Sequence, residues 1–283
     1  MTLPISVIIR TKNEAKRIGM VLRRLKDQEY AGPVEVVLVD SGSTDETVAV
    51  ARSFGCQIIG MKPEEFSFGR ALNIGFAHAK GDIVINLSGH SVPVQRDYFT
   101  LMATPFGDRK VAATFGRDIP WPEACPSQAR DIRNHFPDTG VDGSKFSNAN
   151  AAIRKEVWEA LPFNEDLPAS EDLFWAREVM GRGYQIRYVP QAEVYHSHTS
   201  SPRYIFNRYL KERISVKKLL NLPDVTLKDV YYDTKWFVET DRVFVRKHGY
   251  SRKWLFHIPA YRLAQALGLY IGSKLADRRE ASG

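Results

Sequence analysis

Residues Val34-Glu-Val-Val-Leu-Val-Asp40-Ser41-Gly-Ser43-Thr-Asp45 constrain the fold more than any other stretch of the chain. Five of the first six are apolar and mostly β-branched, the composition of a strand buried on both faces of a parallel sheet. Asp40 stands where that run ends, and the small polar residues after it make a loop. Thr44 or Asp45 can then cap a helix over residues 46–54. A carboxylate at the carboxyl end of a parallel strand faces the crevice in which open α/β sheets hold ligands. An acid and hydroxyls in that place suit hydrogen bonding to a base or a ribose.

The alternation continues on both sides. Apolar runs predict strands over 4–9, 34–40, 57–61 and 82–87, with helical periodicity over 14–28, 44–54 and 69–79. This βαβαβαβ order predicts an α/β protein with a doubly wound, mostly parallel sheet and right-handed crossovers. Further on we expect a helix at 97–102, a strand at 111–119 and an irregular surface segment over 120–143 near the acceptor side. Helices are expected at 151–161 and 171–181, short strands at 186–189 and 193–195, and amphipathic helices at 203–220 and 255–278. A length of 283 residues fits one large domain with an extension, divided here as 1–215 and 216–283.

Composition narrows the classes. With 43% hydrophobic and 26% charged residues the chain is globular rather than disordered. No apolar run approaches the roughly 20 residues that span a bilayer. Charges throughout the first turns argue against a secretory leader. Cys56 and Cys125 have no metal-type spacing, and a cytoplasmic location is expected. The net charge of +7 is concentrated late, at Arg203, Arg208, Lys211, Arg213, Lys217, Lys218, Arg242, Arg246, Lys247, Arg252 and Lys253. Tyr204, Phe206, Tyr209, Trp236, Phe237 and Trp254 interleave with these cations, as in segments that touch a headgroup layer. A solvated helix face reads equally well. No nucleic-acid-binding signature accompanies the charge, so nucleic acid is not expected as a partner. Self-association stays open.

Several motifs carry chemistry. Ile5-Ser-Val-Ile-Ile-Arg-Thr11-Lys-Asn13-Glu14 ends a first strand on polar residues. Phe68-Gly-Arg70-Ala-Leu-Asn73 puts Arg70 and Asn73 three apart on a helix, on one face. Gly81-Asp-Ile-Val-Ile-Asn-Leu-Ser88-Gly89-His90-Ser-Val-Pro93 ends a strand on small residues and an imidazole. Ala169-Ser-Glu171-Asp172 opens a helix that Ser170 can cap, and the helix dipole favours ionised carboxylates there. His196-Ser-His198 closes the series.

Together, in this order over about residues 4–215, these motifs resemble the inverting glycosyltransferases of family 2, with rhamnosyltransferase-like members showing the late histidine. The resemblance implies a GT-A fold: a Rossmann-like nucleotide-binding half, an acceptor-binding half and here a C-terminal helical extension. It implies a nucleotide-diphosphate sugar (UDP-, dTDP- or GDP-linked) held by Thr11, Asn13, Glu14, Asp40, Ser41, Arg70, Asn73, Ser88 and Gly89. Asp172 would take the acceptor proton, with Glu171 orienting the acceptor or a cation. The family places Arg directly before Asn, whereas here Leu72 fills that place and Arg70 is displaced. The family's Asp-x-Asp metal motif is replaced by Ser88-Gly89-His90. Imidazole is a good ligand, so His90 with His196 or His198 is expected to hold a divalent cation, Mn2+ in preference to Mg2+. Alternatively, His90 donates to phosphate and no ion binds. Asn148, Asn150 and Trp175 are candidate sugar or acceptor contacts, or turn and core residues. The expected acceptor is a glycan or lipid-linked precursor in polysaccharide or glycolipid synthesis. A second expectation, drawn from the Ser88 and His90 replacements, is a catalytically silent GT-A protein that binds a nucleotide or glycan.

Overall fold

The computed structural model describes residues 2–278; Met1 and residues 279–283, the ends of the two predicted segments, lie outside the described residues. The chain forms two compact units. The first takes in residues up to Ile119, His135–Leu167 and Glu171–His196. The second takes in Pro120–Asn134, Pro168–Ser170 and the chain from Ser197 on.

The first unit is an eight-stranded sheet with helices. Its strands are β1 (Ile5–Thr11), β2 (Val34–Asp40), β3 (Gln57–Gly60), β4 (Ile83–Ser88), β5 (Val92–Pro93), β6 (Val111–Ile119), β7 (Asn150–Arg154) and β8 (Gln185–Tyr195). Their order is β3-β2-β1-β4-β7-β6-β8-β5. β1 pairs parallel with both β2 and β4, so the strand order reverses beside β1, the place where such sheets bind ligands. β7 runs antiparallel to β4 and to β6, and β8 runs parallel to β6. The carboxyl ends of β1, β2, β4, β6 and β8 therefore lie on one edge, and β7 starts there.

Burial explains the crossovers. Helix α1 (Ala15–Lys26) buries Ile18, Val21, Leu22 and Leu25, the one-face spacing of an amphipathic helix. Arg23, Arg24 and Lys26 in its last turn complement the dipole. After α2 (Thr47–Ser53) and β3 comes α3 (Phe68–His78), whose first turn is capped by Ser67 accepting from the Arg70 N–H at 3.1 Å. α4 (Tyr98–Ala103) follows β5.

Three expectations are corrected. Residues 120–143 are not wholly irregular, because α5 (Pro126–His135) forms there, with Ser127, Gln128, Ala129 and Arg130 buried. Residues 151–154 are not helix but β7, where Asn150-Ala-Ala-Ile-Arg fills a fully buried slot between β4 and β6, so sheet pairing overrides local helix preference. Only α6 (Lys155–Ala160) keeps helical form, with α7 (Glu171–Gly181) as expected. The two short strands at 186–189 and 193–195 are one, β8, whose register with β6 slips between Gly116 and Arg117.

The second unit is helical, built on α5, α8 (Pro202–Leu219), α9 (Leu227–Lys247) and α10 (Trp254–Arg278). α9 was not anticipated, although Thr226 and Asp229 form the capping box that announces its start. Gly268 and Gly272 let α10 lie against α8, since a Cβ would fall 2.5 Å from Phe206 O and 2.7 Å from Leu210 O. A fully buried Arg262 on α10 binds Asp241 of α9 at 2.7 and 2.9 Å and Asp131 of α5 at 2.7 and 2.9 Å. Paired and hydrogen-bonded in this way, a buried guanidinium is tolerated and ties three helices together. Among the described residues no helix is long and apolar enough to cross a membrane.

Candidate active site

The ends of β1 and β2 are stitched together by polar loops. Thr11 and Asp40 are register partners, and Ser41 N–H donates to Thr11 O at 3.1 Å. Asn13 sits in the left-handed region (φ 57), which lets its Oδ1 accept from Thr44 N–H at 2.8 Å while its own N–H donates to Ser43 Oγ at 2.8 Å. Asp45 accepts from Thr47 N–H at 3.0 Å and from Ala15 N–H at 3.1 Å, capping the start of α2 and linking it to α1. The buried Asp40 carboxylate accepts from Gly42 and Ser43 N–H at 3.1 and 2.9 Å and from the Ser43 hydroxyl. That leaves Asp40 both a turn former and the acid at the sheet mouth. The buried Thr11 Oγ1 has no hydrogen-bond partner among the described residues.

The acid pair stands at the same edge. Glu171 and Asp172 open α7, and Glu171 Oε1 lies 3.8 Å from Nη1 of Arg10, the residue before Thr11 on β1. Asn148 braces both acids: its N–H donates to Asp172 Oδ2 at 3.1 Å, and its Nδ2 approaches Glu171 Oε1 at 3.4 Å. Leu173 N–H donates to Asp172 Oδ1 at 2.9 Å. The dipole was expected to keep both acids ionised, but burial wins. Desolvation, followed by the charge of Asp172, pushes Glu171 up to about 7, against the pull of Arg10. Burial also raises Asp172, opposed first by the Asn148 and Leu173 N–H groups. The two acids titrate as a pair, with a proton retained into the neutral range.

The histidines gather within the first unit. His90 and His196 stack with ring centroids 5.0 Å apart, and a ring nitrogen of one lies within 4.8 Å of one on the other. Nδ1 of His90 lies 2.7 Å from Glu14 Oε1, and Nδ1 of His196 lies 2.6 Å from Asp118 Oδ2 at the end of β6. Each carboxylate fixes its ring and turns Nε2 to the opposite edge, the arrangement that orients metal-ligating imidazoles. The donor set therefore fits a divalent cation that accepts nitrogen. Glu14, expected at the nucleotide, is committed to His90. His198 belongs to the second unit, where its N–H donates to Gln128 Oε1 at 3.2 Å. Gly89 lies where Ser88–Ser91 turn away from β4; a Cβ there would meet Glu14 Cγ at 2.9 Å and Thr11 Cβ at 3.2 Å. Only glycine lets that turn close on β1 without displacing either side chain.

Other candidates have structural duties. Trp175 is 2% exposed, donates Nε1 to Leu161 O and packs on Phe146 and Phe163, so it is core and no platform for an acceptor. Asn150 is buried between Tyr98 Oη, which donates to its Oδ1, and Ala192 O, which its Nδ2 reaches at 3.1 Å. Asn148 is equally buried and meets the acids rather than open space. Asn73 donates to Phe163 O and Glu165 at 2.9 Å each and accepts from Trp158 Nε1 and Phe163 N–H. Its amide fastens the segment after α6 and is fully occupied. Arg70 is half exposed, 3.8 Å from Glu165. Arg10 and Asp118, not singled out in the sequence, stand among these residues, Arg10 beside Glu171 and Asp118 on His196; their positions as polar residues near the ends of apolar strands were the available signal.

The glycosyl transferase family 2 sequence model matches residues 6–123. The O-antigen chain rhamnosyltransferase RfbN of Salmonella typhimurium is 30% identical over 220 residues, 72% of this chain and 70% of that protein. The chain belongs to glycosyl transferase family 2. WbaN, an O-antigen chain rhamnosyltransferase of Salmonella anatum, is 33% identical over 191 residues, and the match spans 61% of its length, under two thirds. The mannosyltransferase of Pyrobaculum calidifontis, solved with GDP-Man and Mn2+, superposes with a TM-score of 0.65 at 21% identity, covering 95% of this chain and 87% of that one. Glucosyl-3-phosphoglycerate synthase of Mycobacterium tuberculosis, solved with Mn2+, UDP-Glc and phosphoglyceric acid, gives 0.59 at 18%, covering 78% and 81%. This family 2 chain has the GT-A fold.

The Asn73 geometry makes a distinct prediction. Asn73→Ala leaves Trp158 Nε1 and the Phe163 N–H without their acceptor, and urea unfolding should show a loss of about 1–3 kcal/mol. Nucleotide affinity measured by calorimetry should stay at the wild-type value.

Proposed function

We propose that this chain is an inverting glycosyltransferase that moves a sugar from a nucleotide-diphosphate donor to an acceptor hydroxyl in polysaccharide or glycolipid synthesis. The carrying observation is the acid pair beside the end of β1, buried Glu171 with half-buried Asp172, on the edge where Thr11, Asp40 and Ser88 also end their strands. In this reading Thr11, Asn13, Asp40, Ser41, Ser88 and Gly89 surround the nucleotide, and the buried Thr11 hydroxyl supplies a polar atom for it. Arg70, half exposed, is kept as the cation for the diphosphate. Asp172 accepts the proton of the acceptor hydroxyl as that oxygen attacks the anomeric carbon and the diphosphate leaves from the opposite face. Glu171 holds the second carboxyl and orients the acceptor. The rhamnosyltransferase relatives make a rhamnosyl donor the first to test, followed by GDP- and UDP-sugars.

We assign this chemistry to the α/β unit, within the predicted 1–215 domain, and read 216–283 as a helical extension. The Ser88-Gly89-His90 segment is taken to stand in the place of Asp-x-Asp. His90 and His196 would hold a divalent cation, with His198 as a further candidate because it follows His196 by two residues. Bound there, the cation offsets negative charge on the departing diphosphate. Nitrogen ligands favour Mn2+ over Mg2+. The silent-binder alternative draws on the same loss of aspartates, and slow donor hydrolysis separates the two.

Peripheral contact with the inner membrane face is read from α9. Tyr232, Trp236 and Val243 are 56%, 60% and 61% exposed and share one side of the helix, with exposed Lys228, Lys235 and Arg246 alongside. An amphipathic helix of aromatics flanked by cations suits an anionic headgroup layer.

Three outcomes test this reading. Asp172→Asn should bind nucleotide normally and lose about 10²–10⁴ in transfer rate. Activity within a few-fold of wild type in Asp172→Asn sinks the assignment. Chelation with EDTA should abolish transfer and Mn2+ restore it, with His90→Ala and His196→Ala weakening Mn2+ binding by calorimetry; full turnover in chelator overturns the metal reading. Finally, the protein should co-sediment with vesicles containing anionic lipid. Lys235→Gln should lower that partition about fivefold, the ~1 kcal/mol of one cation near such a surface; equal binding to neutral vesicles counts against it.

A further inference from the structure

We infer that Arg10 is a positioning residue whose fixed positive charge keeps negative charge on the Glu171–Asp172 pair against its burial. The inference rests on the reading of Asp172 as base. Arg10 occupies the end of β1, opposite Val39 on one side and Ser88 on the other. Its side chain is only 13% exposed, and its guanidinium lies over the Phe68 ring, 5.2 Å from the centroid. Phe68 thus holds the plane in place from one face.

The polar contacts of Arg10 are unusual. Buried Nε and Nη1 have no hydrogen-bond partner among the described residues, and Nη1 approaches Glu171 Oε1 only to 3.8 Å. A structural arginine in a protein interior is normally tied down by donated hydrogen bonds, as Arg262 is in the second unit. Arg10 instead acts through its field, as a fixed positive charge beside buried Glu171 and half-buried Asp172.

The surroundings leave this task to Arg10. Of the elements near α7, the turn at Gly143–Lys145 carries Lys145, which acts on Asp142 of its own loop. On α7 itself Glu178 pairs with Arg182 at 2.8 Å, and Arg177 lies further along the helix. On β8, Arg187 is exposed. Asn148 and Leu173 contribute neutral N–H donors, which favour Asp172 over Glu171 because two backbone donors point at it. Arg10 is the cation that lowers both acids, against the burial that raises them. Its contact with Glu171 rather than Asp172 stabilises the charged pair while the Asn148 and Leu173 donors place the negative charge on Asp172.

The experiment is a carboxyl 13C NMR titration of the full chain, with Glu171→Gln and Asp172→Asn used to assign resonances. Arg10→Met should raise the midpoint of the pair by about one pH unit or more, the scale of a lost neighbouring charge. Arg10→Lys, which keeps the charge, should stay near wild type. Thermal midpoints and affinity for UDP, dTDP and GDP should hold in both variants. An unchanged midpoint in a folded Arg10→Met, or equal shifts in Met and Lys, overturns the inference. So does weakened nucleotide affinity with an unmoved midpoint, which makes Arg10 a diphosphate ligand instead. A separate measurement of transfer by Asp172→Asn, using UDP-, dTDP- and GDP-sugars, reports on the base itself, so a failed base and a failed Arg10 give different results.

Discussion

Parallel strands finish at a common edge, so β1, β2, β4, β6 and β8 each deliver their last polar residue to the same side of the sheet. Thr11 with Arg10 before it, Asp40, Ser88, Asp118 and, one position past β8, His196 are those residues. β7 runs the other way and begins at that edge, which brings Asn148 and, through it, α7 to the ends of its neighbours. No loop has to travel far to build the site. Strand polarity does the gathering, and the apolar bodies of the strands make each position rigid.

The price of gathering acids in a buried place is their charge. Glu171 and Asp172 lose water on entering the protein, and two neighbouring anions repel. The helix dipole and two N–H donors answer part of that cost, and Arg10 answers another part without closing a hydrogen bond. An arginine already clamped to Glu171 would form a strong, neutral strut. Held 3.8 Å away on Phe68, it biases the pair while leaving both carboxylates able to exchange a proton.

Much of the α/β half was legible, for a simple reason. A strand buried on both faces needs an unbroken apolar run, and β1, β2 and β4 supply one each, with polar residues marking where they stop. The readings that failed depended on tertiary context. Ala151-Ala-Ile reads as helix until β4 and β6 close on both sides of it. For Trp175, Asn148 and Asn150 the sequence left sugar contact and turn or core roles both open, and burial gives them to the core and to the acid pair. Arg10 escaped notice because its importance lies in what it approaches on α7, some 160 positions away in the chain, and no local pattern records that. Asp118 escaped for the same reason, its partner being a histidine just past the end of another strand.

The same logic bears on the missing aspartates. On the proposed reading, with Ser88 and His90 standing where the family's two carboxylates would be, less negative charge faces the place where a cation would sit, which by itself weakens attraction for a hard ion. Glu14 and Asp118 return that charge one bond further out, each on the Nδ1 side of a stacked imidazole. A carboxylate there makes the ring a better electron donor and fixes which nitrogen faces the site. At the proposed cation site, charge carried behind nitrogen rather than presented as oxygen would shift preference from Mg2+ toward softer ions. The proposed reading gives the Glu14–His90 pair a purpose: the negative charge would sit one hydrogen bond back from the cation rather than on it.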